Sequence, residues 1–185
     1  LWNDRFKFVL IEGRGNPLQT IVAYIDLNPV RTGLVQDPKD YRFCGYAEAV
    51  AEGEQAAKGL RAIWVAYADG CLRSHVAIAD ALQMHRGLIF GKRASDAGIS
   101  EMEHRQALKI LEQQDAVLPK ATVLRCRVRY FSDGAILGSA EFVRSFVDAW
   151  QVEKGRRFPP KVNPLRGADW QDLACIQALR KAVFT

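Results

Sequence analysis

The chain has 185 residues, 49% of them hydrophobic and 25% charged, with a net charge of +5, a composition that suits an ordinary globular protein of one domain or two small ones. No run of about 18 apolar residues supports a membrane span, and the opening residues lack the charge–apolar–small order of a secretory signal. Cys44, Cys71, Cys126 and Cys175 lie far apart without a C-x-x-C pair, which argues against a zinc ribbon or a disulfide framework and fits a reducing, cytoplasmic setting.

The opening "LWNDRFKFVLIE" alternates Trp2, Asp4, Phe6 and Phe8 against Asn3, Arg5 and Lys7, a strand pattern. The chain starts at Leu1 in what reads as mid-domain sequence, so the expectation is a fragment whose front precedes Leu1. Gly13, Gly15 and Pro17 break the next stretch. From Pro17, which suits a first helical turn, Leu18, Ile21, Val22 and Ile25 fall at helical spacing. Asn28-Pro29 is expected to end that helix, because a residue before proline is pushed out of the helical region. "QDPKDYRFCGY" reads as a loop whose aromatics pack back on the body.

Helices are expected over Glu54–Gly70, with Leu60, Ile63, Trp64 and Tyr67 on one face, and less cleanly over Ser74–Gly91, with Val76, Ala79, Leu82 and Met84. Ser100 and Glu103 form a capping-box pattern ahead of a helix carrying Leu108, Ile110 and Leu111. The period then changes. "ATVLRCRVRYFSDGAILGS" alternates, and predicts a strand with Arg125, Arg127 and Arg129 on one exposed face, followed by a turn at Ser132–Gly134. A short amphipathic helix starts at Ser139 with Phe142, Val143, Phe146, Val147 and Trp150. The proline-punctuated "EKGRRFPPKVNPLRG" reads as an extended basic arm, and a final helix is expected from Asp169 to Phe184.

Charge is unevenly placed. Residues 120–167 hold ten basic and four acidic side chains, a net of +6, whereas residues 96–119 carry a net of −3. Such a block suits a polyanion-binding surface, and equally a solvated basic face.

The sequence lacks a phosphate-cradling G-x-x-x-x-G-K-S/T loop and a G-x-S-x-G elbow. His75, His85 and His104 are isolated, and a lone histidine on a helix is more often a surface or satisfied core residue. Tyr24 and Asn28 share a helical face. A tyrosine hydroxyl, with a pKa near ~10, needs help to attack a phosphodiester. A divalent metal supplies that help by stabilising charge on the phosphoryl oxygens, and an amide oxygen one turn away is a reasonable ligand for a hard cation. The spacing is chemically sensible but equally compatible with a packed aromatic.

Two stretches carry a resemblance. The first is W-x-x-R-F at Trp2, Arg5 and Phe6, then Y-I-x-x-N-P-V-R-x-G-L-V from Tyr24 to Val35, the pair Asp37-Pro38 and the Gly45-Tyr46 segment. It resembles the second half of the catalytic domain of single-tyrosine HUH transposases, closest to the REP-associated tyrosine transposases. The second, "RVRYFSDGAILGSAEFV", is similar to an extension on longer members, and the middle of the chain matches only loosely. The resemblance implies an α+β fold. Residues 1–52 would be the C-terminal half, and so a remnant, of a small ferredoxin-like catalytic domain. A mainly helical segment over 53–118 and a basic C-terminal extension of hairpin and helix over 119–185 would follow. It further implies a DNA transposase that breaks and rejoins single-stranded DNA through a 5′-phosphotyrosine link at Tyr24, with Mg2+ or Mn2+ held by a His-hydrophobic-His pair and by Asn28.

Arg31 would contact a DNA phosphate or form a structural ion pair. The further DNA-binding candidates are Arg125, Arg127, Arg129, Arg156, Arg157 and Lys161. The expected partner is single-stranded or hairpin DNA, with no membrane, and the resemblance leaves room for a homodimer. The departure is the absence of any H-x-H in the 185 residues. Either the front of the enzyme is missing, the favoured explanation, or this is a decayed copy. In both cases this chain alone is expected to bind no metal tightly and to cut no DNA. The opening strand would then lie at an exposed edge of an incomplete sheet. The alternatives are a non-catalytic DNA-hairpin-binding module and a protein–protein module built on the helices.

Overall fold

The computed structural model describes residues 8–65, 76–91, 101–113, 116–133, 135–155, 158–176 and 183–184. The fold mixes α and β. Strand β1 (Leu10–Ile11) leads into helix α1 (Gly15–Asp26), where Pro17 sits in the first turn as its fixed φ favours. Leu27 turns the chain, and Asn28-Pro29 opens a second short helix, α2 (Asn28–Arg31). The expected break therefore falls one residue earlier, and the proline that cannot continue α1 starts α2 instead.

A 3-10 turn (Pro38–Asp40) follows, capped by Asp37, whose Oδ1 accepts from Lys39 N at 3.0 Å. Helices α3 (Gly45–Val50), α4 (Glu54–Val65), α5 (Ile78–Phe90) and α6 (Glu101–Leu111) make up the helical middle. The predicted Ser100–Glu103 cap and the end of the helix expected over Glu54–Gly70 fall outside the described residues, and α5 starts at Ile78, four residues after the expected Ser74. Leu60 and Trp64 of α4 are buried as their spacing predicts, while Met84 of α5 and Ile110 of α6 face outward.

Beyond β2 (Val117–Leu118) the sequence expectation is overturned. Residues 120–133 form helices α7 (Lys120–Arg125) and α8 (Arg129–Asp133), with only Cys126 to Val128 extended between them. Pro119 stands at the α7 N-cap, and the alternation of Leu124, Cys126 and Val128 reflects burial at a helix–link–helix corner, where all three are buried. Strand β3 (Ile136–Ser139) follows, and helix α9 (Ala140–Lys154) then starts where expected. Ser139 Oγ accepts from Phe142 N at 3.2 Å, and the left-handed Gly155 ends the helix.

The last segment corrects a second expectation. The expected basic arm carries two short strands, β4 (Asn163–Pro164) and β5 (Gly167–Ala168), and within the helix expected from Asp169 to Phe184 the buried residues Leu173–Cys175 form strand β6, while residues 177–182 of that helix lie outside the described residues. The main sheet has the order β1-β3-β6-β4. β1 is parallel to β3, β6 is antiparallel to both of its neighbours, and β2 pairs with β5 in a separate parallel ladder. Among the described residues β1 lies at an edge of this sheet, and the strand expected over Trp2–Lys7 lies outside them. Gly138 of β3 is required by close packing. A Cβ there would come within 2.5 Å of Phe142 and 3.1 Å of Glu12. Glu12 itself is buried and accepts from Ser139 N at 2.7 Å, fastening the end of β1 to the start of α9.

Helix α1 lies at the centre. It packs on α4, α5 and α7 and against β3. One hydrophobic cluster joins Ile21, Tyr24 and Tyr46 to Ile89 and Leu111 and to Val123, Phe131 and Trp170, so the three sequence segments share a core. Among the described residues, no helix is long and apolar enough to cross a membrane.

Candidate functional site

A cleft of about 570 Å³ opens beside α1. Phe8, Val9 and Ile11 form one wall, Ile21, Tyr24 and Ile25 of α1 the floor, Asn28, Arg31 and Thr32 one end, and Arg127, Phe131 and Ser132 the opposite side. Four of the residues nominated from the sequence, Tyr24, Asn28, Arg31 and Arg127, therefore meet in one place.

Tyr24 is 7% exposed. Its ring packs edge-on against Phe131, with centroids 4.8 Å apart, and the Arg31 guanidinium covers it with Cζ 3.7 Å from the ring centroid. Arg31 holds this corner together. Nη1 donates to Leu124 O at 2.9 Å, and Nη2 donates to Tyr24 O at 2.6 Å and, at short range, to Asn28 Oδ1. The alternatives for Arg31 at the sequence level were a phosphate contact or an ion pair. The partners found are two main-chain carbonyls, an amide oxygen and a ring face. Burial lowers the Arg31 pKa from its ordinary value, while Tyr24 and Cys126 oppose that shift.

The remaining nominees separate. Arg125, expected on an exposed strand face, is 7% exposed at the end of α7, with its guanidinium 5.0 Å from the Phe90 centroid. Its pKa is lowered by burial and raised in part by Asp37. Arg127 is exposed and Arg129 half-buried. Both follow the helical stretch that ends at Arg125, so the three do not form one strand face. Lys161 is exposed just before β4. Arg156 and Arg157 lie outside the described residues.

Sequence reasoning missed the apolar part of the cleft. Phe8 (74% exposed) and Ile25 (54% exposed) both line it. The sequence placed Phe8 in a strand alternation and Ile25 at helical spacing, and neither pattern shows that both line one cleft. Ser132 Oγ is buried at the wall and has no hydrogen-bond partner among the described residues.

The divalent metal implied by the resemblance does not fit the donors this cleft presents. Among the described residues its lining holds neither carboxylate nor imidazole, whereas Mg2+ and Mn2+ favour anionic oxygen ligands. The neutral oxygen of Asn28 is already taken by Arg31, and two guanidinium groups face the same space. Among the described residues, no cluster of three His, Cys, Asp or Glu side chains is arranged to hold a metal.

Behind Tyr24, on the opposite side of α1, lies a buried polar group. Asp26 Oδ2 is 2.9 Å from His85 Nε2, and Asp26 Oδ1 accepts from Cys44 Sγ at 3.2 Å. Tyr46 and Trp64 pack around the imidazole. The histidine read as isolated in the sequence is thus a core residue bonded to the tyrosine helix.

Compared with family models, curated proteins and solved structures, the chain matches none.

Proposed function

We propose that this chain is a single-stranded or hairpin DNA-binding unit of the REP-associated tyrosine transposase type, with DNA lying in the cleft over Tyr24. The observation that carries this reading is the convergence of Tyr24, Asn28, Arg31 and the exposed Arg127 with the rings of Phe8 and Phe131 in one cleft. Cations that follow a phosphate backbone beside rings on which bases stack are the ordinary means of holding single strands. Under this reading the first segment is the remnant of a ferredoxin-like catalytic domain, and Tyr24 is the residue that forms the 5′-phosphotyrosine link in a complete enzyme. The buried thiols of Cys44 and Cys126 suit a reducing cytoplasm.

The residues of this chain favour binding over strand cleavage. Tyr24 lies under the Arg31 guanidinium, and among the described residues the cleft offers no carboxylate or imidazole to accept its proton. The test is fluorescence anisotropy with a labelled hairpin oligonucleotide across a salt series, together with a denaturing gel for covalent adducts. Salt-sensitive binding without an adduct is expected. Absence of binding at low salt would overturn the DNA reading. An adduct that disappears in Tyr24→Phe would overturn the non-cleaving one.

A further inference from the structure

The cleft places a positive charge beside the tyrosine without a metal. The Arg31 guanidinium is clamped by Leu124 O, Tyr24 O and Asn28 Oδ1 and lies flat on the Tyr24 ring. A guanidinium has five N–H groups in a rigid plane. Three are used in this clamp, and the others remain on a group that half-faces the cleft. Arg127 lines the same space and is exposed. Among the described residues, no carboxylate in the lining neutralises either cation. Two cations beside the neutral donors of Asn28 and Ser132 form a receptor for an anion, and the same arrangement repels a dication.

We propose that Arg31 is the resident cation of this cleft, and that Arg31 and Arg127 together bind the phosphodiester of single-stranded DNA without a divalent metal. This rests on the DNA-binding reading above. The clamped Arg31 supplies a fixed charge at the tyrosine end, and its geometry is set before any ligand arrives. Arg127 approaches from the α7–α8 link and donates directly to a phosphate oxygen. Asn28 orients the guanidinium through its amide oxygen and is not a metal ligand in this chain. The partition between a fixed and a mobile cation follows from the count of internal partners, three for Arg31 against the open position of Arg127.

The experiment is anisotropy of a labelled single-stranded oligonucleotide with the full chain, at matched ionic strength, in excess EDTA and in excess manganese. Equal dissociation constants, within about twofold, are expected in the two buffers. Arg127→Ala should weaken binding about five- to tenfold in both, and Arg127→Lys should recover most of the loss because a point charge still meets the phosphate. Arg127 has no role in the Arg31 clamp, so this pair of variants stays informative even where Arg31 substitutions unfold the chain. Binding that requires manganese overturns the inference and leaves the DNA reading standing, as does an Arg127→Ala chain that binds like the parent. No binding in either buffer overturns both.

Discussion

His85 Nε2 and Asp26 Oδ2 are joined by a 2.9 Å hydrogen bond in the interior, across 59 positions of sequence. His85 has no exposed surface, and its second ring nitrogen has no partner among the described residues. Because an ionised carboxylate only accepts, Nε2 is the donor. Asp26 also accepts from Cys44, so one carboxylate links α1, the start of α3 and α5. Asp26 is two residues from Tyr24, and this bond fixes the rotation of the helix that presents the tyrosine to the cleft.

Asp26→Ala removes the acceptor of two buried donors at once. An unfolding cost of about 2–4 kcal/mol is expected, because buried polar groups that lose their partners forfeit their hydration as well as their bond. Asp26→Asn, which keeps one amide oxygen, should cost less. Urea denaturation measures both. A cost for Asp26→Ala within about 0.5 kcal/mol of zero, the range of ordinary surface substitutions, would show that the linkage does not contribute.

Arg31 should behave as a structural residue whether or not DNA is present. Arg31→Ala strands the carbonyls of Leu124 and Tyr24 and uncovers the Tyr24 ring. The expected loss is about 2–3 kcal/mol, reduced from a fully buried value because the side chain is half exposed to solvent. Arg31→Lys keeps the charge but cannot span three acceptors in one plane, so it should recover less than half of that loss. The urea midpoint decides. Full recovery by lysine would mean that charge alone matters at this position.

How much of this was legible depended on how local the cause was. The α1 helix could be read from Leu18, Ile21, Val22 and Ile25, and the α9 cap from Ser139, because both follow from side chains a turn apart. The α7–α8 corner could not. A two-residue period over Leu124, Cys126 and Val128 looks the same in a strand and in a short extended link between helices, and Pro119 as a helix start was the discriminating signal. Strand β6 was hidden because Leu173, Ala174 and Cys175 have no strong strand preference of their own. Pairing with β3 and β4 on either side decides their conformation. Tyr24 and Asn28 could be paired because they lie one helical turn apart, and Arg31 was nominated through the motif resemblance. The contribution of Arg127 to the same cleft, and the contact of His85 with Asp26, depend on tertiary packing that no spacing reveals.

The buried thiols make stability fall in alkali. Burial pushes the Cys44 thiol up to about 11, and it pushes Cys126 up to about 11 against the opposing pull of Arg31. An unfolded thiol titrates near about 8.5. Below that pH both states hold their protons and the contribution is fully present. Between the two values the unfolded chain releases protons that the folded chain retains, so stability declines as pH rises and the contribution is lost as pH passes the folded pKa. Tyr46, raised mainly by burial, acts with the same sign. The urea midpoint should therefore drop between pH 8 and about 10.5, and the double variant Cys44→Ala, Cys126→Ala should show a smaller drop. Parallel curves for the two proteins would refute the assignment to these thiols.

The last prediction separates two arginines that the sequence placed together. Arg125 is buried against Phe90, and Arg127 is exposed in the cleft. If the cleft holds single-stranded DNA, each neutralised phosphate releases condensed cations, and the slope of log K against log salt changes by about 0.7 per contact. Arg127→Ala should flatten that slope by about 0.7, whereas Arg125→Ala should leave it unchanged. Arg125→Ala should instead lower stability by about 1–3 kcal/mol, through lost packing of its stem and of the guanidinium on the ring. Replacing Arg125, Arg127 and Arg129 together should flatten the slope by no more than about 1.4, short of the roughly two units expected if all three touched phosphate on one strand face. Tyr24→Phe removes no charge and should leave the slope as it is. A salt series on the single variants, each checked for folding by circular dichroism, gives the answer. An Arg125→Ala chain that stays fully stable but loses a phosphate contact would place Arg125 at the DNA and refute the burial-based division between the two residues.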